Sequence, residues 1–331
     1  MLLPIRFQVN SPRIVYVTTA DYGDTLGRIP RELAARGVRF DIWSWDSVFR
    51  ARKLPRATWI LTDFDRLSPT QLEAAGRIYR RLGKGGLTVL NDPRRFRNRA
   101  QLIAALQDKG INNFGCALPA AGAWPARYPA FLRTIAGHRG IIGDLLKTPR
   151  EAATALRAAL RDGYLLSDLV FVEYRAEPVP ETGRFQKHAG LVIGDHMIRA
   201  NTVNDMTWKA KVGTPGLASD AQYAAERAEF HDWPHRDFVG RVFDLAGMDF
   251  GRVDFGLVGG QPQAYEVNTN PTLDMPLDHV NADRRVTLAL YRAAILDAFT
   301  AIATPGGGPA VSLDSAFRLA HAAVFRRPRL F

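Results

Sequence analysis

The strings Gly251-Arg252-Val253-Asp254-Phe255-Gly256 and Tyr265-Glu266-Val267-Asn268-Thr269-Asn270-Pro271 hold three hard oxygen donors, Asp254, Glu266 and Asn268, and a guanidinium at Arg252. Two carboxylates and an amide carbonyl suit Mg²⁺, which prefers oxygen and keeps several positions for water or nucleotide phosphate. The donors meet only if the chain doubles back between them. Apolar residues run through Val253, Phe255 and Leu257, then resume at Ala264, Tyr265 and Val267 after Gly259-Gly260-Gln261-Pro262. That pattern predicts two antiparallel strands joined by a hairpin. Glu266 and Asn268, two residues apart, share one face of their strand.

Such a hairpin needs a body to hold it, and 331 residues suffice for two or three compact units. A content of 47% hydrophobic and 23% charged residues is that of a globular protein rather than a disordered one. The single cysteine, Cys116, excludes an intrachain disulfide and a thiolate-rich metal cluster. There is no run of about 20 apolar residues, and no basic region followed by a long apolar stretch at the amino terminus. The expected location is cytoplasmic, with no membrane partner. A net charge of +11 draws anions. The arginines, however, far outnumber the lysines and are spread over the whole length, which suits coding bias better than a nucleic-acid surface.

The chain ahead of the hairpin alternates strand and helix. Residues 13–19, centred on Ile14, Val15, Tyr16 and Val17, form a β-branched run typical of a buried parallel strand. Strands at 38–43, 58–62 and 87–90 follow, with helices at 26–36 and 69–82 between them, closed by glycines. This order predicts a doubly wound βα unit. It has no Gly-x-Gly-x-x-Gly after the first strand and so no dinucleotide fingerprint. Asp21, Tyr22 and Asp24 lie at a strand's carboxyl end, where such sheets bind ligands, although helix capping accounts equally well for Asp24. Further helices are expected at 97–109, 149–161, 235–246 and 282–303, the last with Val286, Leu290, Ala293 and Ala294 on its apolar side. Pro305-Gly306-Gly307-Gly308-Pro309 reads as a linker and residues 313–331 as a docked tail helix.

The two donor-bearing strings resemble the metal hairpin of the ATP-grasp superfamily, in which an Arg-x-Asp strand precedes a Glu-x-Asn strand, as in D-alanine–D-alanine ligases and ribosomal-protein glutamate ligases. The resemblance implies that Asp254, Glu266 and Asn268 ligate Mg²⁺ and that Arg252 faces the transferred phosphate. Asn91-Asp92-Pro93, the helix after it and Gly110-Ile111 are similar to the exit from the family's first domain. Many relatives carry a phosphate-touching lysine on that helix, and Arg99 keeps the charge here. Tyr128-Pro129-Ala130-Phe131-Leu132-Arg133 resembles the strand whose final lysine contacts the α-phosphate, with Arg133 in its place. A planar guanidinium fork thus replaces a compact point charge, and phosphate recognition through two bonds stays feasible.

Residues 136–143, including His138 and Gly140, occupy the place of the glycine-rich loop that closes over the phosphates, where freed backbone N–H groups wrap an anion. Leu169-Val170-Phe171-Val172-Glu173-Tyr174 resembles the strand beside adenine, which implies base contacts from Val172, Glu173 and Tyr174 in an apolar slot with one polar end. In the strand at 183–193, Lys187 and Ala189 stand where the glutamate ligases have an Asp-x-Arg pair. The ribose contact then falls to Glu177 or Glu181. Trp208-Lys209-Ala210-Lys211 offers two lysines to the phosphates, or two ordinary surface lysines.

The implied fold combines α/β and α+β parts: a doubly wound βα domain at 1–93, a central ATP-grasp subdomain at 94–172, a C-terminal subdomain with the metal hairpin at 173–303, and a linker and tail at 304–331. The two α+β subdomains would sandwich ATP. The implied activity is ATP-dependent ligation, in which a carboxylate is activated as an acyl phosphate and joined to an amine or a thiol with release of ADP and phosphate. ATP and two Mg²⁺ ions, replaceable by Mn²⁺, would be the cofactors. Arg133 and Arg252 would steady the transferring group; Arg99, Arg133, His138, Gly140, Val172, Glu173, Tyr174, Lys187 and Lys209 would hold the nucleotide. Substrates would be small-molecule or peptide carboxylates and amines, and a homo-oligomer is compatible with this. Loss of both family lysines keeps open a non-catalytic nucleotide- or partner-binding protein. Phosphoryl transfer to a non-carboxylate acceptor is a third reading.

Overall fold

The computed structural model describes residues 7–136, 139–211, 213–214 and 216–313. The first sheet is built on the strand Pro12–Thr18, in which Ile14, Val15, Tyr16 and Val17 are fully buried. Apolar residues on both faces demand cover on both sides, as a parallel sheet between helices provides. This strand pairs in parallel with Arg39–Ser44 on one side and with Thr58–Leu61 on the other, and Val89–Leu90 extends the sheet beyond the latter. The winding therefore reverses between Pro12–Thr18 and Thr58–Leu61, whose carboxyl ends lead into Thr19 and into Thr62-Asp63.

The helix expected at 26–36 is a 3₁₀ turn, Ala20–Leu26, followed by the helix Ile29–Ala35. Gly27, at φ 46°, breaks the run, and Pro30 in the first helical turn restarts it. Thr19 and Arg28 hold the N-cap positions, so Asp24 caps neither element. The helix Pro69–Lys84 begins with a capping box formed by Ser68 and Gln71.

The second sheet is antiparallel, in the order Cys116–Ala117, Leu169–Glu173, Ala130–Thr134 and Ile141–Leu146. Leu132, Leu169 and Phe171 on one face pack against Ala152 and Ala159 of the helix Pro149–Arg161. Val170 and Val172 on the other meet Ala100 and Ile103 of the helix Arg99–Asp108. The third sheet runs His196–Asp205, Phe185–Ile193, Phe250–Val258, Gln261–Asn268. Leu191, Ile193 and Phe250 pack on the helix Ala282–Ile302, while Val192, Val253 and Phe255 pack on Arg236–Ala246.

Two readings of the C-terminal segment change. The helix Ala282–Ile302 buries Leu288, Tyr291, Ile295, Leu296 and Phe299, and the expected apolar face is partly in solvent, with Val286 exposed. The glycine-rich run is no free spacer. Thr304–Pro305 pairs with Pro12 and Arg13, and Val311–Ser312 pairs with Lys53 and Leu54, so both ends of the run are stitched to the first unit. Beyond Leu313 the expected tail helix lies outside the described residues. No described helix is long and apolar enough to cross a membrane.

Candidate active site

The donor-bearing strands Phe250–Val258 and Gln261–Asn268 form the expected hairpin. Its turn is shorter than the sequence implied. Gly259 and Gly260, at φ 56° and 76°, supply both left-handed positions of a two-residue turn, and Gln261 and Pro262 already belong to the second strand. Glu177, one of the two candidates for the ribose contact, accepts from the Gly259 N–H at 2.8 Å and so braces this turn. At the far end, Gly251 has φ 150°, and a Cβ there would stand 2.8 Å from the Asn268 carbonyl oxygen. The register sets Asp254 opposite Glu266 and Arg252 opposite Asn268, which gathers all four polar side chains on one face.

Cations surround this quartet. Asp254, which is buried, accepts from Arg252 Nε at 2.8 Å on one oxygen and lies 3.2 Å from Lys187 Nζ on the other. Glu266 Oε2 accepts from Arg99 Nη2 at 2.8 Å and from Arg133 Nη2 at 3.2 Å. Arg99 also donates to the carbonyls of Thr134 at 2.7 Å and Ile135 at 2.9 Å. Its guanidinium thus ties this hairpin to the root of the glycine-rich loop. Burial, and then the neighbouring Arg99, bring the Arg133 guanidinium down to about 10, with Glu266 pulling the other way. Burial likewise works against the charge on Arg252, but Asp254, Tyr291 and Glu266 together outweigh it and the pKa rises.

Arg99, Arg133, Lys187 and Arg252 set four positive charges against the two carboxylates. The surplus calls for an anion. The Nε atoms of Arg99 and Arg133 are buried without a hydrogen-bond partner among the described residues, donors that a phosphate oxygen would satisfy. The donor set also fits a hard divalent cation. Two carboxylates and an amide carbonyl share one face of the hairpin, hard oxygen donors of the kind Mg²⁺ takes.

Between the second and third sheets opens a cleft of about 350 Å³. Phe131, Val172, Tyr174 and Trp208 give it an apolar wall, and Arg133, Gly140, Lys187, Lys209, Asp254 and Glu266 also line it. Trp208 stands with ring centroids 5.1 Å from Phe131 and 5.2 Å from Tyr174, the latter edge-on, which leaves flat aromatic surface for a planar base. Glu173 lines the cleft as well, between Val172 and Tyr174. Its carboxylate accepts from the Gly115 N–H at 2.9 Å and from Arg127 Nη2 at 2.8 Å, which braces the strand.

Lys209, which lines the cleft, donates to Asp144 at 2.8 Å and to the Gly143 carbonyl at 3.0 Å. Lys187 reaches Asp254 from the neighbouring strand. Asn268, opposite Arg252 and not among the residues that line the cleft, accepts at Oδ1 from the Asn270 N–H at 2.9 Å. His138 lies outside the described residues. Tyr22 carries the Arg66 guanidinium 3.6 Å above its ring, at the first sheet's carboxyl edge. Arg127 and the Trp208 ring were not singled out from the sequence. Arg127 carries no local signal, whereas an indole beside two lysines in Trp208-Lys209-Ala210-Lys211 was one.

The architecture has counterparts among solved structures. A RimK domain ATP-grasp protein from Sphaerobacter thermophilus DSM 20745 matches with a TM-score of 0.50 at 14% identity, over 86% of this chain and 98% of that one. D-alanine–D-alanine ligase from Bacillus anthracis matches with a TM-score of 0.50 at 12% identity, over 88% of this chain and 97% of that one. The ATP-grasp ligase PsnB complexed with minimal precursor matches with a TM-score of 0.52 at 14% identity, over 88% and 99%. No protein-family model and no curated protein matches the sequence. The chain has the ATP-grasp fold.

Proposed function

We propose that this protein is an ATP-dependent ligase that activates a carboxylate as an acyl phosphate and joins it to an amine, releasing ADP and phosphate. The observation that carries the reading is the lining of one cleft by an aromatic wall together with Asp254, Glu266, Arg133 and Lys187. Phe131, Tyr174 and Trp208 would flank the adenine, and Val172 would contact its face. Arg133, Lys187 and Arg252 would bind and orient the phosphates. Phosphoryl transfer needs alignment and charge neutralisation more than covalent help, and this chain offers both.

Asp254, Glu266 and Asn268 would hold Mg²⁺, which neutralises phosphate charge when bound. In the proposed sequence a carboxylate oxygen attacks the γ-phosphorus and the bond to the bridging oxygen of ADP breaks. The amine nitrogen then attacks the acyl carbon, gives up a proton, and phosphate departs. The substrates would be small-molecule or peptide carboxylates and amines, and the site of action the cytoplasm.

A screen of amino acids and short peptides for Mg²⁺-dependent ADP release, followed by mass analysis, tests this. An amide product lighter than the summed substrates by one water is expected. A stable phosphorylated product would reassign the protein as a phosphotransferase. Tight ATP binding without ADP release across the screen, together with full ATP affinity in Asp254→Asn made without metal, would favour a binding protein.

A further inference from the structure

Thr269 and Asn270 directly follow the last strand of the metal hairpin, yet they are bonded to the first sheet. They enter the crevice between the carboxyl ends of Pro12–Thr18 and Thr58–Leu61, where the winding reverses. Open α/β sheets commonly bind diffusible ligands at such a reversal point. Here a side chain of the same polypeptide fills it.

Asn270, which is buried, donates through Nδ2 to Thr18 Oγ1 at 2.9 Å, Asp63 Oδ2 at 3.1 Å and the Tyr22 carbonyl at 3.2 Å. Its Oδ1 accepts from the Tyr16 hydroxyl at 2.7 Å and from Thr25 Oγ1 at 2.9 Å. An amide has two N–H donors and two acceptor lone pairs, so this side chain is saturated. The crevice is itself held rigid. Asp63 sits in the left-handed region at φ 58°, its Oδ2 accepting from the hydroxyls of Thr18 and Thr19 and from the Thr19 N–H, while its own N–H donates to Thr269 Oγ1 at 3.1 Å. With its side chain fixed on both sides, Asn270 has little freedom left at its backbone N–H, and that N–H donates to Asn268 Oδ1 at 2.9 Å.

We infer that Asn270 is a positioning residue through which the N-terminal sheet orients the amide oxygen of Asn268 for the metal. The reversal point of that sheet thus serves as a socket for the metal hairpin rather than as a ligand site. This rests on the reading of Asn268 as a metal ligand. Groups that orient metal ligands from behind commonly control metal affinity by 10–100-fold.

The test is Mn²⁺ binding to the full chain in the presence of ADP, followed by electron paramagnetic resonance. Asn270→Ala is expected to weaken Mn²⁺ binding by about 10-fold or more. Tyr16→Phe, which keeps the ring and removes one bond to Asn270, should weaken it several-fold, and both variants should bind metal-free ADP as the wild type does. If Asn270→Ala does not fold, Tyr16→Phe and Thr25→Val decide the matter. Wild-type Mn²⁺ affinity in these variants, with a lowered melting temperature only, overturns the inference while Asn268→Ala and Asp254→Asn still lose Mn²⁺. Wild-type Mn²⁺ affinity in Asn268→Ala and Asp254→Asn as well would instead remove the metal reading itself.

Discussion

Arg133 faces Glu266 across the cleft, its Nη2 3.2 Å from Oε2, although the two residues belong to different sheets. The arginine is nearly buried and is crowded by Arg99, so its charge is only half answered by the shared carboxylate. A phosphate would answer the rest. Arg133→Ala is expected to weaken ATP binding by about 10-fold or more, the cost of one charge-assisted contact. Arg133→Lys should retain part of it, as a point charge without the fork. Calorimetry on the three proteins checks this, and equal ATP affinity in wild type and Arg133→Ala would take the residue out of the site.

His188 gives a pH-dependent prediction. Its ring lies on the Phe255 face of the third sheet, with Nδ1 3.1 Å from Thr202 Oγ1 and its centroid 5.4 Å from that of Phe255. Burial, followed by His235 and Arg199, lowers its pKa from 6.5 to about 3. The folded state keeps the imidazole neutral while the unfolded chain protonates it below about pH 6.5. The unfolded state then binds more protons, so stability is complete above that pH and is lost as pH falls toward the folded value. The loss reaches about 2 kcal/mol by pH 5. Denaturant unfolding at pH 7 and pH 5 should show it in the wild type and much less in His188→Gln. An unchanged difference in that variant would assign the acid sensitivity to other groups.

What the sequence made legible follows a physical division. Residues whose partners are near in the chain were readable: the alternation through Val253, Phe255 and Leu257 located the hairpin, and its two-residue offsets placed Asp254, Glu266 and Asn268 on one face. The β-branched run at Ile14 to Val17 likewise gave the central parallel strand. Long-range pairing was not readable. Nothing near Arg99 in the chain shows that it will reach Glu266 and the carbonyls of Thr134 and Ile135. The partners of the Glu173 carboxylate, the Gly115 N–H and Arg127, lie far along the chain and were equally unreadable. On the helix Ala282–Ile302 several apolar stripes compete, and only packing against Leu191, Ile193 and Phe250 selects the one through Leu288, Tyr291 and Ile295.

The C-terminal strap should contribute stability without touching the cleft. Leu313 is buried, its N–H donates to the Arg52 carbonyl at 3.1 Å, and Arg81 Nε donates to the Ser312 carbonyl at 2.9 Å. Leu313→Ala leaves a cavity in the first unit's core and should cost about 2–5 kcal/mol. Nucleotide affinity should stay at the wild-type value. Thermal unfolding and an ATP titration of the same variant check both halves, and a loss of ATP binding in the folded variant would place the strap in contact with the site.

Glu266 is where binding and chemistry should separate most cleanly. Its Oε2 accepts from both Arg99 and Arg133, so Glu266→Gln keeps an acceptor for them and preserves the tie between the sheets. What it removes is a full negative charge from a site that already carries a cationic surplus. Nucleotide should therefore still bind, within roughly an order of magnitude of the wild type, because a phosphate meets no less positive charge than before. The proposed metal would lose one of its two carboxylates, and removal of a transition-state electrostatic contact commonly costs about 100-fold or more in rate. Glu266→Gln is expected to lose nearly all Mg²⁺-dependent ADP formation, and Asn268→Ala to show the same split more mildly. Single-turnover ADP formation alongside nucleotide titration measures the two quantities separately. Turnover at the wild-type rate in Glu266→Gln with the true substrate present would leave the hairpin as a purely structural ion-pair junction between the sheets.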